Sequence, residues 1–169
     1  MLCRGPELFV GYRDPRLDAE VLLPDGWMRT GDIGRLDEDG YLTITDRLKD
    51  VIIRGGETIS SREVEDILLT CPGVADAAAI AVPGPRYGER IGAVVILAPG
   101  AALDLDAVRA HFRNAGAARQ KPPEHLEIVA GLPRNAVGKV RKAELRAWLS
   151  DKGLTRNDVT RAGDPRRSQ

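Results

Sequence analysis

The chain has 169 residues, 43% of them apolar and 30% charged, enough apolar material for one packed core and too much for a disordered or fibrous polymer. Its 25 Lys and Arg balance 25 Asp and Glu, so no global field draws it to nucleic acid or an anionic membrane, and any anion binding has to be local. The longest apolar run, residues 91–98, is far below the roughly 20 residues of a membrane helix, and Cys3 and Cys71 lie in no C-x-x-C spacing, which leaves no disulfide scaffold or zinc site and points to a reducing cytoplasm.

Residues 1–12 carry Arg4 and Glu7 among their apolar residues and predict no secretory signal. From residue 1 to about 46, Gly5-Pro6, Asp14-Pro15, Pro24-Asp25-Gly26 and Asp39-Gly40 punctuate short apolar runs. The last of these predicts a β-hairpin, with residues 33–36 and 41–44 flanking Asp37-Glu38-Asp39-Gly40. Residues 51–53, closed by Gly55-Gly56, predict another short strand. Ser60 stands three residues before Glu63, a capping-box spacing, and Val64, Ile67 and Leu68 form one stripe, so a helix runs from there to about Cys71, ahead of Pro72-Gly73.

Two β-rich runs follow, 74–82 and 92–97, with the turn-rich segment 83–90 between them. Asp104 caps a second helix over 105–114 with Leu105, Val108 and Phe112 on one side. Residues 125–129 predict a strand, and 142 to about 152 a third helix presenting Leu145, Trp148 and Leu149. The fold class is α+β, a small sheet covered by helices and preceded by a hairpin-rich segment. Residues 156–169, poor in apolar side chains, predict a disordered tail.

Three segments could carry chemistry. In Pro133-Arg134-Asn135-Ala136-Val137-Gly138-Lys139-Val140-Arg141-Lys142, Gly138 lets backbone approach an anion and Lys139 supplies a mobile charge, without the upstream glycine or following Ser/Thr of a Walker loop. By itself this fits an exposed basic turn leading into a helix better than an anion site. Asp46-Arg47-Leu48-Lys49-Asp50 fits a solvated linker, and the Asp32 of Thr30-Gly31-Asp32 is either a turn aspartate or an acceptor for a vicinal diol such as a ribose. Nucleic-acid binding through Arg113, Arg119, Lys121 and the Arg166-Arg167 tail is disfavoured, because no aromatic residues interleave them and net charge is zero.

Together, Gly26 to Asp32, Gly40-Tyr41, Asp46 to Asp50, Gly55-Gly56-Glu57, Glu63-Val64-Glu65 and Pro133 to Lys139 follow the order and spacing of the adenylate-forming superfamily. Over residues 1–150 the chain resembles the C-terminal part of an acyl-CoA synthetase, closer to fatty-acid and related carboxylate CoA ligases than to amino-acid-activating domains. The resemblance implies that residues 1–46 are the end of a large N-terminal AMP-binding domain, 47–150 the mobile C-terminal domain and 151–169 a tail. It implies an enzyme that uses Mg-ATP and CoA to convert a fatty or other carboxylic acid, through an acyl-adenylate, to a thioester. The magnesium-binding glutamate, phosphate loop and acyl pocket of that family are missing from this sequence, so the fragment alone is expected to be inactive, with no metal ligands and no bound cofactor of its own.

By the same resemblance Lys139 is the adenylation lysine, Asp32 and Arg47 hold the nucleotide, and Lys49 is the hinge. Gly56 borders the pantetheine passage, and Arg54 is a candidate contact for CoA phosphate. Asn135 departs from the threonine or small residue frequent in the family and is expected only to shape its turn. Apolar groups such as Leu8, Phe9, Tyr12 and Trp27 are expected to lack their normal cover, left mobile or packed against a second copy in a homodimer. Two alternatives stay open: an enzyme serving a carrier protein instead of CoA, and a non-enzymatic regulatory module whose Lys139 is a substrate of a lysine acetyltransferase.

Overall fold

The computed structural model describes residues 1–152, so the expected tail lies outside the described residues from 153 onward. Chain contacts divide the protein into a unit of Met1–Lys49 and a second beginning at Asp50.

In the first unit turn chemistry outweighs packing. Strand β1 (Leu2–Cys3) pairs antiparallel with β2 (Met28–Arg29). Between them Asp14 accepts the Arg16 N–H at 3.1 Å and starts a 3-10 turn, Pro15–Leu17, that leads into the single-turn helix α1 (Asp18–Val21). The expected hairpin forms from β3 (Asp32–Leu36) and β4 (Leu42–Arg47). Asp37 closes it: its Oδ1 accepts the Tyr41 N–H at 2.8 Å and the Asp39 N–H at 3.1 Å, while Gly40 takes φ +85°. A bulge after Ile33 leaves Thr45 unpaired, which bends β4 and turns its last residues.

No residue from 1 to 49 is buried. Phe9 and Tyr12 are exposed, in line with expectation, and they contact each other edge to face at 4.8 Å. Leu8 and Trp27 are half-buried instead, the Trp27 ring being covered by the Arg4 guanidinium at 4.9 Å.

In the second unit, β5 (Ile52–Arg54) and β6 (Glu57–Ile59) make a hairpin around Gly55 and Gly56, whose φ values of +59° and +87° suit a tight two-residue turn. The sequence predicts only the first of these strands, because three residues are too few to display alternation. Helix α2 (Ser61–Leu69) begins where its cap predicts, with Ser60 Oγ accepting the Glu63 N–H at 3.2 Å, and stops two residues before Cys71.

Strands β7 (Val74–Gly84) and β8 (Gly88–Leu97) form one long hairpin with only residues 85–87 in its loop, so the expected turn over 83–90 is mostly strand. The reason is geometric. Pro83 lies four residues from Ala79, whose N–H points to the open edge of β7, so the missing proline N–H breaks no ladder bond.

Helix α3 (Leu105–Asn114) is capped by Asp104, which accepts the Ala107 N–H at 2.8 Å. Strand β9 (His125–Ile128) then pairs parallel with β8, and α4 (Lys142–Asp151) closes the described chain. The sheet runs β6-β5-β8-β7, with β9 sharing with β5 the edge of β8 away from β7.

Alternation along β7 and β8 loads both faces. Ala77, Ala79, Ile91, Ala93 and Val95 pack with Val64 and Leu68 of α2 and Val108 and Phe112 of α3. Ala78, Ile80, Val82 and Val94 pack with Leu145 and Leu149 of α4. A core side chain such as Phe112, fully buried, contributes roughly 2–3 kcal/mol by leaving water.

Candidate functional site

The segment carrying Lys139 is a closed loop between β9 and α4. Arg134 and Val140 form an isolated antiparallel bridge, the Arg141 N–H reaches the Pro133 carbonyl at 2.8 Å, and the Asn135 N–H reaches that of Lys139 at 2.9 Å. Inside the loop Asn135 does the shaping expected of it: its Oδ1 accepts the Lys139 N–H at 2.8 Å and the Val137 N–H at 3.2 Å. Gly138 donates to the Asn135 carbonyl at 2.9 Å with φ +83°, a conformation only glycine enters without strain.

Two ion pairs fasten this loop to the rest of its unit. Arg134 donates through Nη2 to Asp76 on β7 and through Nη1 to the Gly138 carbonyl, both at 2.5 Å. Lys142, at the start of α4, donates to Ser61 Oγ at 2.6 Å and pairs with Glu65 of α2 at 2.7 Å. Lys139 is exposed, and among the described residues its ammonium has no hydrogen-bond or ion-pair partner. Its backbone is fixed while its charge is unspent, an arrangement suited to stabilising negative charge on a bound group.

Arg54 ends β5 beside Gly55 and Gly56 and is largely covered, its side chain 19% exposed. Its Nε and Nη2 meet the two Glu124 oxygens at 3.0 Å each, and its guanidinium lies 4.4 Å over the Tyr87 ring. Pairing with Glu124 pushes its pKa up from the ordinary value, against the opposite pull of burial. The Gly55 N–H donates to the Tyr87 carbonyl at 2.9 Å, so the tips of the two hairpins are joined.

Arg54 and Glu124 also line a cleft of about 410 Å³ together with Arg109, Arg113 and Arg119. Sequence reading weighed Arg113 and Arg119 only as a nucleic-acid contact and missed their gathering with Arg54 and Arg109; a visible signal for it is the i, i+4 spacing of Arg109 and Arg113, which sets both on one face of α3. Among the described residues the guanidinium groups of Arg113 and Arg119 have no partner.

In the first unit, Asp32 and Arg47 are directly opposite across the β3–β4 ladder, with Arg47 Nε 2.8 Å from Asp32 Oδ1. The Thr30 hydroxyl accepts the Asp32 N–H at 3.0 Å, and the Leu48 N–H binds the Gly31 carbonyl at 2.8 Å. Asp32 borders a cleft of about 590 Å³ walled by Ile33, Leu36, Leu42 and Leu48. A carboxylate has up to four acceptor sites, so the Arg47 pair leaves capacity for hydroxyl donors. Lys49 is exposed on the 3-10 turn Leu48–Asp50, and Asp50 at its end is held by Arg146 of α4 at 2.8 Å.

Other titratable groups lie elsewhere. Cys71 is buried, and burial pushes its thiol up, keeping it protonated and unreactive. On β9, burial pushes His125 below its ordinary range despite a 3.1 Å contact with Glu127, whose own carboxyl is held low by Lys152 at 2.8 Å. No helix among the described residues is long and apolar enough to cross a membrane.

Residues 63–139 match the AMP-binding enzyme C-terminal domain family. The chain is 50% identical over 145 residues to the medium-chain fatty-acid–CoA ligase of Escherichia coli (strain K12), covering 85% of this chain and 26% of the ligase. It is 47% identical over 147 residues to the salicylyl-CoA synthase / salicylate adenylyltransferase of a Streptomyces species, covering 86% of this chain and 27% of that protein. It superposes on the crystal structure of ATP-bound MatB from Rhodopseudomonas palustris with a TM-score of 0.79 and 37% identity, over 88% of this chain and 30% of that one. The chain thus spans about a quarter of the length of the curated relatives it matches. Residues 63–139 thus resemble an AMP-binding enzyme C-terminal domain, and the relatives and structural neighbours of the chain are adenylate-forming enzymes, acyl-CoA ligases among them.

Proposed function

We propose that this chain is the C-terminal portion of an ATP-dependent acyl-CoA ligase, with Lys139 its adenylation lysine. The observation that carries the reading is the Lys139 loop, a backbone locked by Asn135 and Arg134 that presents an unpaired ammonium. In the first step a carboxylate oxygen bonds to the α-phosphorus of Mg-ATP and pyrophosphate leaves. Lys139 stabilises the charge gathering on the carboxylate and phosphate oxygens. In the second step the CoA sulfur bonds to the acyl carbon and AMP leaves.

Asp32 would accept the ribose hydroxyls while Arg47 orients it and meets the nucleotide. Lys49 would be the hinge at which backbone rotation exchanges the two half-reactions. At Gly56 nothing lies within 4 Å of where a Cβ would stand, which supports a passage for the pantetheine arm beside it. The arginine cleft supplies charge for CoA phosphates through Arg113 and Arg119. Arg54, already spent on Glu124 and Tyr87, is a weaker candidate for that contact than the sequence implies. Residues 1–49, none of them buried, fit the end of a larger N-terminal domain that supplies the acyl pocket.

The test is to fuse the chain to the large domain of a relative and measure AMP release. Activity dependent on a carboxylic acid and CoA, lost in Lys139→Ala, is expected; an unchanged adenylation rate in that variant removes Lys139 from the role. Replacing CoA by a carrier-protein pantetheine distinguishes the alternative acceptor. The exposure of Lys139 also favours a second reading, a lysine open to acetylation, which would neutralise the charge that adenylation needs. Treatment with an acetyltransferase and acetyl-CoA, followed by mass spectrometry at Lys139, tests it, and an unmodified lysine rejects it.

A further inference from the structure

Lys139 can stabilise charge only if its loop delivers the ammonium to one place; Leu132 and Val140 pack on the core at the base of the loop, but residues 134–139 between them are exposed and bring no apolar burial of their own. Val137 is 77% exposed, and Lys139 itself is open to water. The hydrogen bonds that Asn135 makes fix the internal curl of the loop but not its attitude to the sheet. Within the exposed residues 134–139, the side chain of Arg134 links the two. Arg134 reaches the Gly138 carbonyl with one nitrogen and the Asp76 carboxylate with another. Asp76 is itself fixed, because its Oδ1 accepts the Ala77 N–H at 2.9 Å while Oδ2 takes Arg134.

We propose that Asp76 and Arg134 are positioning residues for Lys139, a strut from the edge of β7 to the Gly138–Lys139 peptide that sets where the ammonium emerges. This rests on the adenylation role of Lys139 above. Neither residue touches the reacting groups; each acts through the carbonyl that Arg134 holds. The planar guanidinium matters because it spans a carboxylate and a carbonyl at once, which a lysine ammonium on a flexible stem does not reproduce. A charged hydrogen bond to a carbonyl is worth enough to change the population of the aligned loop on the order of tenfold.

The experiment has two arms. In the full 169-residue chain, Asp76→Ala and Arg134→Lys are followed by amide hydrogen exchange. The Lys139 and Val137 amides are expected to exchange about tenfold faster, while those of the β7–β8 ladder stay protected. In the fusion enzyme, the same variants should lower the rate of adenylate formation about tenfold yet leave the rate of thioester formation from preformed acyl-adenylate unchanged, with Asp76→Glu restoring part of the first. A purely structural role would lower both half-reactions together, and that result would overturn the strut, as would unchanged exchange at Lys139. If Lys139→Ala also spares adenylation, the functional reading fails; if only Lys139→Ala impairs it, the reading stands and the strut alone is rejected.

Discussion

Glu65 accepts the Ala79 N–H at 2.8 Å, so a carboxylate from α2 satisfies a backbone donor on the open edge of β7. Edges of this kind invite pairing with other chains, and covering one donor with a charged side chain is a means of blunting it. The same Glu65 oxygen takes Lys142 at 2.7 Å, with both side chains about 15% exposed, so α2, β7 and α4 meet at one atom.

Glu65→Ala strands the Ala79 amide and leaves the largely covered Lys142 ammonium with only the Ser61 hydroxyl, and should cost about 2–3 kcal/mol of stability. Lys142→Met leaves the Glu65–Ala79 bond intact and should cost nearer to about 1 kcal/mol. Urea unfolding of the two variants checks the order, which reverses if the ammonium rather than the carboxylate is the anchor.

Gly55 and Gly56 both occupy the left-handed region, yet an added Cβ meets different surroundings. At Gly55 it would come within 3.1 Å of the Tyr87 ring, whereas at Gly56 nothing lies within 4 Å. Alanine at Gly56 should cost the backbone strain alone, about 1 kcal/mol, and at Gly55 measurably more. Placing Gly55→Ala in a Tyr87→Ala background should remove the excess, as read by thermal unfolding of the single and double variants.

Two groups on β9 give stability a slope in acid. Burial lowers the pKa of His125 below 6.5, with Arg90 and Lys152 pushing the same way and Glu127 opposing them. A group depressed in the folded state contributes stability above its unfolded value and loses it as pH falls, so stability declines from pH 6.5 downward. Glu127, held below 4.5 chiefly by Lys152, adds a second decline beneath that value. His125→Asn should flatten the first slope and leave the second, measurable as urea midpoints on either side of pH 6.5.

The arginine cleft predicts a kinetic signature in the fusion enzyme. Arg113→Ala with Arg119→Ala should raise the KM for CoA about tenfold and leave kcat little changed, since both charges would bind phosphates remote from the reacting thiol. Added salt should weaken CoA binding to the parent more steeply than to the double variant. A fall in kcat with KM unchanged would reject the assignment.

Where structure follows from neighbours in the chain, the sequence is enough. Ser60 and Glu63, Asp104 and Ala107, and Asp37 with Tyr41 each join residues three or four apart, and each element starts or turns where those residues stand. The long β7–β8 hairpin is obscured because Pro83 and Gly88 resemble turn punctuation, and only the direction of the missing proline N–H reveals that they are tolerated. The pairing of Arg54 is hidden for a different reason: its partner Glu124 is 70 residues away, and nothing local announces the pair. The turn that carries Lys139 is legible because it is built from residues 133–141, whereas the Asp76 that pairs with Arg134 lies 58 residues before it.

The absence of any buried residue from 1 to 49 has a calorimetric consequence. The heat-capacity increment of unfolding reports chiefly on apolar surface brought into water, and every fully enclosed apolar side chain described lies beyond Asp50. Melting of this chain should therefore show a heat-capacity step proportioned to about two-thirds of its length, and deleting the first 49 residues should leave that step almost as it was.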